Sequence, residues 1–115
     1  MLIVDDHPTF RRFARRLLEE AGFRVVGEAE DGAAAILAAR DLSPQAVLLD
    51  VVLPDRSGLE IAAELAELLG APAVVLTSSR SAWELGAALE EAPKTGFIAK
   101  SAFSGEAFAE LVERE

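Results

Sequence analysis

No cysteine occurs among the 115 residues, and tyrosine is absent as well. Without cysteine there is no disulfide framework, no thiolate metal centre and no thiol nucleophile. The single histidine, His7, excludes a multi-histidine metal site, and any serine-type triad has only this imidazole to use. Basic residues are scarce: 11 Lys and Arg face 20 Asp and Glu, for a formal net charge of −9. A surface that acidic repels phosphate backbones and anionic headgroups, so direct nucleic-acid binding and membrane association are not expected. No apolar run nears the ~18 residues of a membrane span. The N-terminus meets Asp5 and Asp6 too soon to hold a signal-peptide core, so the expected location is cytoplasmic. What the chain does have is apolar content, 51% of residues. A chain of this size buries roughly 65% of its unfolded surface, which suits one domain over residues 1–115.

Five short apolar runs punctuate the sequence: Leu2-Ile3-Val4, Arg24-Val25-Val26, Ala46-Val47-Leu48-Leu49, Ala73-Val74-Val75-Leu76 and Phe97-Ile98-Ala99. They are continuous rather than alternating, as strands buried on both faces of a parallel sheet are. Between them lie segments of helical period. Phe10, Phe13, Leu17 and Ala21 predict the inward stripe of a first helix, and Leu59, Ala62, Ala63, Ala66 and Leu69 that of a third. Ala82, Leu85, Gly86 and Leu89 predict the fourth stripe, and Ala107, Phe108, Leu111 and Val112 the last. Ser57–Glu60 and Ser81–Glu84 read as capping boxes, and Gly22, Gly70, Pro72 and Pro93 as stops. The order is βα repeated five times, an α/β domain with a doubly wound five-stranded parallel sheet.

The chemistry sits where the runs end. Asp5 and Asp6 follow the first run, Asp50 the third, Thr77 the fourth and Lys100 the fifth. In a parallel sheet these ends share one edge, the edge at which open α/β sheets bind ligands. Three clustered carboxylates repel one another unless a cation screens them, and with no thiolate the fitting ion is a hard one, Mg²⁺. A phosphoryl group bound there accounts for the rest. Lys100 neutralises one of its oxygens, Thr77 donates to another, and Asp50 is a carboxylate nucleophile able to form an aspartyl phosphate.

With these residues in this order, the chain resembles the receiver domain of bacterial two-component response regulators over essentially its whole length. Asp5 and Asp6 match the family's acidic pair, and Asp50, in Leu49-Asp50-Val51-Val52-Leu53-Pro54-Asp55-Arg56-Ser57-Gly58, its phosphoacceptor. Thr77 matches its Ser/Thr and Lys100 its lysine. The resemblance implies a flavodoxin-like (βα)5 fold of strand order 2-1-3-4-5 and a sensor histidine kinase as phosphodonor. It implies metal ligation mainly by Asp6 and Asp50, with the Val52 backbone carbonyl, and Asp5 through water. It also implies a switch made by Thr77 and Phe97 that alters the face of the fourth helix, fifth strand and fifth helix. Homodimerisation stays open, with that face and the first helix as candidate surfaces.

The opening Asp5-Asp6-His7-Pro8-Thr9-Phe10-Arg11 resembles the NarL/LuxR-type subfamily, whose members usually carry a C-terminal DNA-binding domain. The chain stops at Glu115, where the fifth helix should end, so it reads as a receiver fragment of a transcription regulator or as a stand-alone receiver. Two departures from the family pattern stand out. Ser101 replaces the proline that often follows the lysine, leaving the loop either trans or held in strain, and Phe97 lacks the hydroxyl of a switch tyrosine. His7 is expected at the rim of the site, with no catalytic part. Trp83 is either an interface anchor or a partly buried structural residue. Arg11, Arg12, Arg15 and Arg16 form either a solvated helix face or a kinase-docking surface. A phosphohydrolase of the haloacid-dehalogenase type would need an acid at position 52, where Val52 stands. A degenerate, phosphorylation-independent receiver is the other alternative. The reading overall is a phosphoacceptor switch rather than a conventional enzyme.

Overall fold

In the computed structural model, which describes residues 1–113, the apolar runs become one parallel sheet. Its strands are β1 (Leu2–Val4), β2 (Gly27–Ala29), β3 (Ala46–Asp50), β4 (Ala73–Ser78) and β5 (Gly96–Ala99), in the order β2-β1-β3-β4-β5. The helices are α1 (Pro8–Glu20), α2 (Gly32–Leu42), α3 (Gly58–Ala66), α4 (Ala82–Leu85), α5 (Ala87–Glu91) and α6 (Gly105–Glu113). A 3₁₀ turn, Lys100–Ala102, follows β5. The expected end of the last helix near Glu115 lies outside the described residues.

Successive strand side chains point to opposite faces, and the core divides accordingly. Leu2, Val4, Val47, Leu49, Val74 and Leu76 pack on Ile36, Ile61 and Leu65 of α2 and α3. Ile3, Leu48, Val75 and Ile98 pack on Ala14 and Leu18 of α1 and on Phe103 and Phe108. Each fully buried Leu, Ile or Phe contributes about 1.5–3 kcal/mol, so both faces are firmly anchored.

Several expectations shift. The second strand is not Arg24–Val26 but Gly27–Ala29, because Leu2 and Val4 pair with Gly27 and Ala29. Val25 is buried just ahead of it, whereas Val26 is exposed. On α1 the buried residues are Ala14 and Leu18, while Phe13 and Ala21 face solvent. On α3 they are Gly58, Ile61, Ala62 and Leu65, so Ala63, Ala66 and Leu69 face out. Phe10 and Leu17 of α1 and Leu59 of α3 still pack at the margin of the core, and Ala62 lies inside it, so the spacing marked each helix and part of its stripe.

The expected fourth helix is two pieces, α4 and α5, broken at Gly86, whose φ of 67° and ψ of −152° no helix continues through. Only Leu89 of the two is fully buried; Ala82 and Gly86 are exposed. The Ser57 box does not close, since Ser57 Oγ accepts from Leu59 N–H and Glu60 pairs with Arg56 instead. At Ser81 the Glu84 carboxylate does accept from the Ser81 N–H and hydroxyl. The last stripe is as expected, with Phe108 buried and Ala107, Leu111 and Val112 packed beside it.

Candidate functional site

Register and parity assemble the site. Val4 pairs with Leu49, Asp50 with Thr77, and Thr77 with Ile98. Asp5, Asp50, Thr77 and Lys100 follow Ile3, Leu48, Val75 and Ile98 by two residues each, so all four project from the face that α1 and α6 cover. Asp5, Asp50 and Thr77 are buried.

Lys100 Nζ reaches across to two carboxylates, Asp5 Oδ2 at 2.7 Å and Asp50 Oδ2 at 3.0 Å. Its ammonium also lies over the Phe10 ring, 4.6 Å from the centroid. Asp50 Oδ1 accepts from the Val52 N–H at 3.0 Å. Burial pushes the Asp50 carboxyl above its ordinary value, against the pull of the Val52 N–H and Lys100, and the nearby Asp5 charge adds to the rise. For Lys100, burial works against the charge, but hydrogen bonds and attraction from Asp5 and Asp50 outweigh it and raise the ammonium above its ordinary value. The Thr77 hydroxyl is buried without a hydrogen-bond partner among the described residues. An unmet buried hydroxyl costs about 1–3 kcal/mol, and a ligand oxygen at this edge would relieve it.

Asp5, Asp6, His7 and Asp50 each offer a ligand atom, all within 4.8 Å of one another. Three carboxylates form an oxygen-rich donor set of the kind hard divalent cations take. His7 is the N-terminal flank of α1 ahead of Pro8, and its Nδ1 lies 3.1 Å from both Asp5 Oδ1 and Asp6 Oδ1. It therefore stands at the rim, as expected. Val52 is exposed at the same edge, in a bridge with Ser57.

The expected switch pair is divided by the sheet. Thr77 projects toward α1 and α6, whereas Phe97 pairs with Leu76 and is half-buried against the α2–α3 side. The Lys100–Ser101 peptide is trans, as no cis bond occurs among the described residues. Trp83 is 85% exposed, which removes the partly buried alternative. Arg11 and Arg15 are not simply solvated: both pair with Glu28 of β2, at 3.0 and 2.7 Å, and Arg11 Nη1 also donates to the Asp5 carbonyl. Arg12 and Arg16 face solvent.

Three contributors escaped the sequence reading. Phe10, read as part of the α1 stripe and of the opening motif, supports Lys100. Asp55 reaches from the β3–α3 loop to the start of α2, accepting from Gly32 N–H at 2.8 Å and Ala33 N–H at 3.0 Å. Those bonds, Gly32 first, hold its carboxyl below the ordinary value. Gly58 closes the loop after Asp50 by donating to the Val51 carbonyl, and a Cβ there would collide with the Asp50 carbonyl oxygen. Only the Pro54-Asp55 turn and the Gly after Ser57 hinted at this loop in the sequence.

Among the described residues no helix is long and apolar enough to cross a membrane. A Pseudomonas aeruginosa protein named as a transcriptional regulator is 42% identical over 101 residues, which is 87% of this chain and 48% of that protein. A Hahella chejuensis protein-glutamate methylesterase/protein-glutamine glutaminase is 38% identical over 81 residues, 70% of this chain and 23% of its own length. The chain thus spans about half or less of the length of these curated relatives. Among solved structures, a two-component response regulator of the LuxR family from Aurantimonas superposes with a TM-score of 0.85 at 29% identity. That match covers 98% of this chain and 81% of the other. The description "Response regulator receiver domain" matches residues 1–113. The fold, the strand order and this match agree, and the chain belongs to the response regulator receiver domain family.

Proposed function

We propose that Asp50 is the phosphoacceptor of this receiver and that Asp5, Asp6, Thr77 and Lys100 serve its phosphorylation and dephosphorylation. The observation that carries the reading is Lys100 Nζ held between Asp5 and Asp50, one strand from the Thr77 hydroxyl, which has no partner among the described residues. An Asp50 carboxylate oxygen attacks the phosphorus of a phosphohistidine or a small acyl phosphate. The bond from phosphorus to its leaving group breaks in line, and the leaving imidazole or carboxylate carries away the electron pair. Lys100 leaves Asp50 to pair with a phosphoryl oxygen, and Thr77 donates its hydroxyl to another. Water later attacks the acyl phosphate, returning the Asp50 carboxylate and releasing phosphate.

Asp6 and Asp50, with the Val52 carbonyl and Asp5 through water, are the residues that would hold Mg²⁺. Bound there, the ion would neutralise charge on the phosphoryl oxygens in transfer. The chemistry of the chain is confined to its own modification, so it acts as a switch and not as an enzyme on other substrates. A sensor histidine kinase is its donor, and a transcriptional output in a longer protein is its readout. Thr77 moving toward the phosphoryl group would open space that Phe97 answers from the far face of the sheet, changing the surface of α4, α5, β5 and α6.

Intact mass after incubation with Mg²⁺ and acetyl phosphate tests the assignment. One added phosphoryl group, dependent on Mg²⁺ and missing from Asp50→Asn, is expected. Undiminished labelling of Asp50→Asn, or none in the folded wild type, would overturn it.

A further inference from the structure

The Lys100 ammonium meets two carboxylate oxygens and an aromatic face. The ring belongs to Phe10, on the first turns of α1. It is itself wedged edge-on against Phe103, with centroids 5.8 Å apart, and tilted against Phe13 at 6.2 Å. Phe103 is buried and closes the 3₁₀ turn that begins at Lys100 by donating its N–H to the Lys100 carbonyl at 3.3 Å. One aromatic pair therefore grips the lysine twice, through its ammonium and through its backbone.

We propose that Phe10 is a positioning residue for Lys100, holding the ammonium over its ring so that it stands at Asp50 before a phosphoryl group arrives. The inference rests on the phosphoacceptor reading of Asp50. A four-carbon stem has many rotamers, and two carboxylates alone do not fix it, since either can be approached from several directions. A ring face attracts a cation without demanding one direction. It can thus support the ammonium both at the carboxylates and, after a short shift, at a phosphoryl oxygen. A leucine at position 10 would supply similar apolar bulk with no such attraction.

The test compares Phe10→Leu, which keeps apolar volume, with Phe10→Tyr, which keeps the ring, and reads two signals. The first is the NMR position of the Lys100 side-chain methylene nearest Nζ, which a ring face displaces upfield. That displacement is expected in wild type and Phe10→Tyr and should vanish in Phe10→Leu. The second is labelling by acetyl phosphate at saturating Mg²⁺. Its maximal rate is expected to fall about three- to tenfold in Phe10→Leu, the range a partly desolvated cation–ring contact supports, and to recover in Phe10→Tyr. Thermal melting of both variants identifies any loss that is merely structural. Equal impairment of both variants would overturn the proposal, as would a Phe10→Leu protein with the wild-type resonance and rate. If wild type is not labelled at all, the Asp50 reading falls, and the resonance comparison alone decides whether Phe10 places Lys100.

Discussion

Asp50 carries its charge at a cost. It is 3% exposed, its neighbour Asp5 is also an anion, and its carboxyl is raised by burial despite Lys100 and the Val52 N–H. A folded-state value above the unfolded one means that ionised Asp50 opposes folding. Its favourable share is fully present below the unfolded value and is lost as pH rises through the folded one. At pH 7 without divalent ions, Asp50→Asn should therefore melt higher than wild type, although its single amide oxygen can accept from the Val52 N–H or from Lys100 but not from both. A lower melting temperature in a calorimetric scan would contradict this account of the site. Gly58 is constrained in the opposite sense. Because its absent Cβ makes room for the Asp50 carbonyl, Gly58→Ala must displace the loop that positions the Val52 N–H, at about 2–4 kcal/mol. Denaturant titration should show that loss together with slower labelling of Asp50.

Elements differ in how firmly they are held. Helix α2 has its free N-terminal donors taken by Asp55, at Gly32 and Ala33, and by Asp31, at Ala34. The Asp55 carboxyl is depressed, so its contribution is present above the ordinary value of 3.8 and is lost as pH falls through its lower folded value. Asp55→Asn should accordingly flatten the loss of stability below about pH 4 and speed amide exchange at Gly32 and Ala33. Unchanged exchange at those two amides would show that the contact does not matter. The segment α4–α5 is the contrast, two short pieces with one fully buried side chain. Its amides should exchange fastest among the helices, and the exposed Trp83 gives a fluorescence signal from it.

What was legible in the sequence follows the same division. The interior runs at β1, β3 and β4 stand out because both faces of the sheet are covered. β2 was misplaced because it is an edge strand, Gly27-Glu28-Ala29, set by pairing with β1 and by Arg11 and Arg15 holding Glu28, none of which is an apolar signal. The edge residues Asp5, Asp50, Thr77 and Lys100 could be found because each directly follows an apolar run. Asp55 and Phe10 could not, because neither follows an apolar run and their partners lie 23 and 90 residues away.

At the scale of the whole molecule, the −9 charge is unevenly spread. Arginines gather on α1, yet two of them are engaged by Glu28, while three carboxylates crowd one end of the sheet with Lys100 beside them. General screening by salt acts over roughly 8–10 Å and weakens diffuse repulsion across the surface. It cannot replace a cation seated between buried acids, which acts at ligand distance. Mg²⁺ should therefore raise the melting temperature saturably. At about 100 times its dissociation constant the gain is ~2.7 kcal/mol, or about 11 °C for a chain this long. Sodium chloride at equal ionic strength should give only a small, unsaturable rise. Asp50→Asn should bind the ion more weakly, so its advantage over wild type shrinks and then reverses as Mg²⁺ is added. Parallel curves for the two proteins across the titration would place the ion elsewhere on the acidic surface and remove Asp50 from its ligand set.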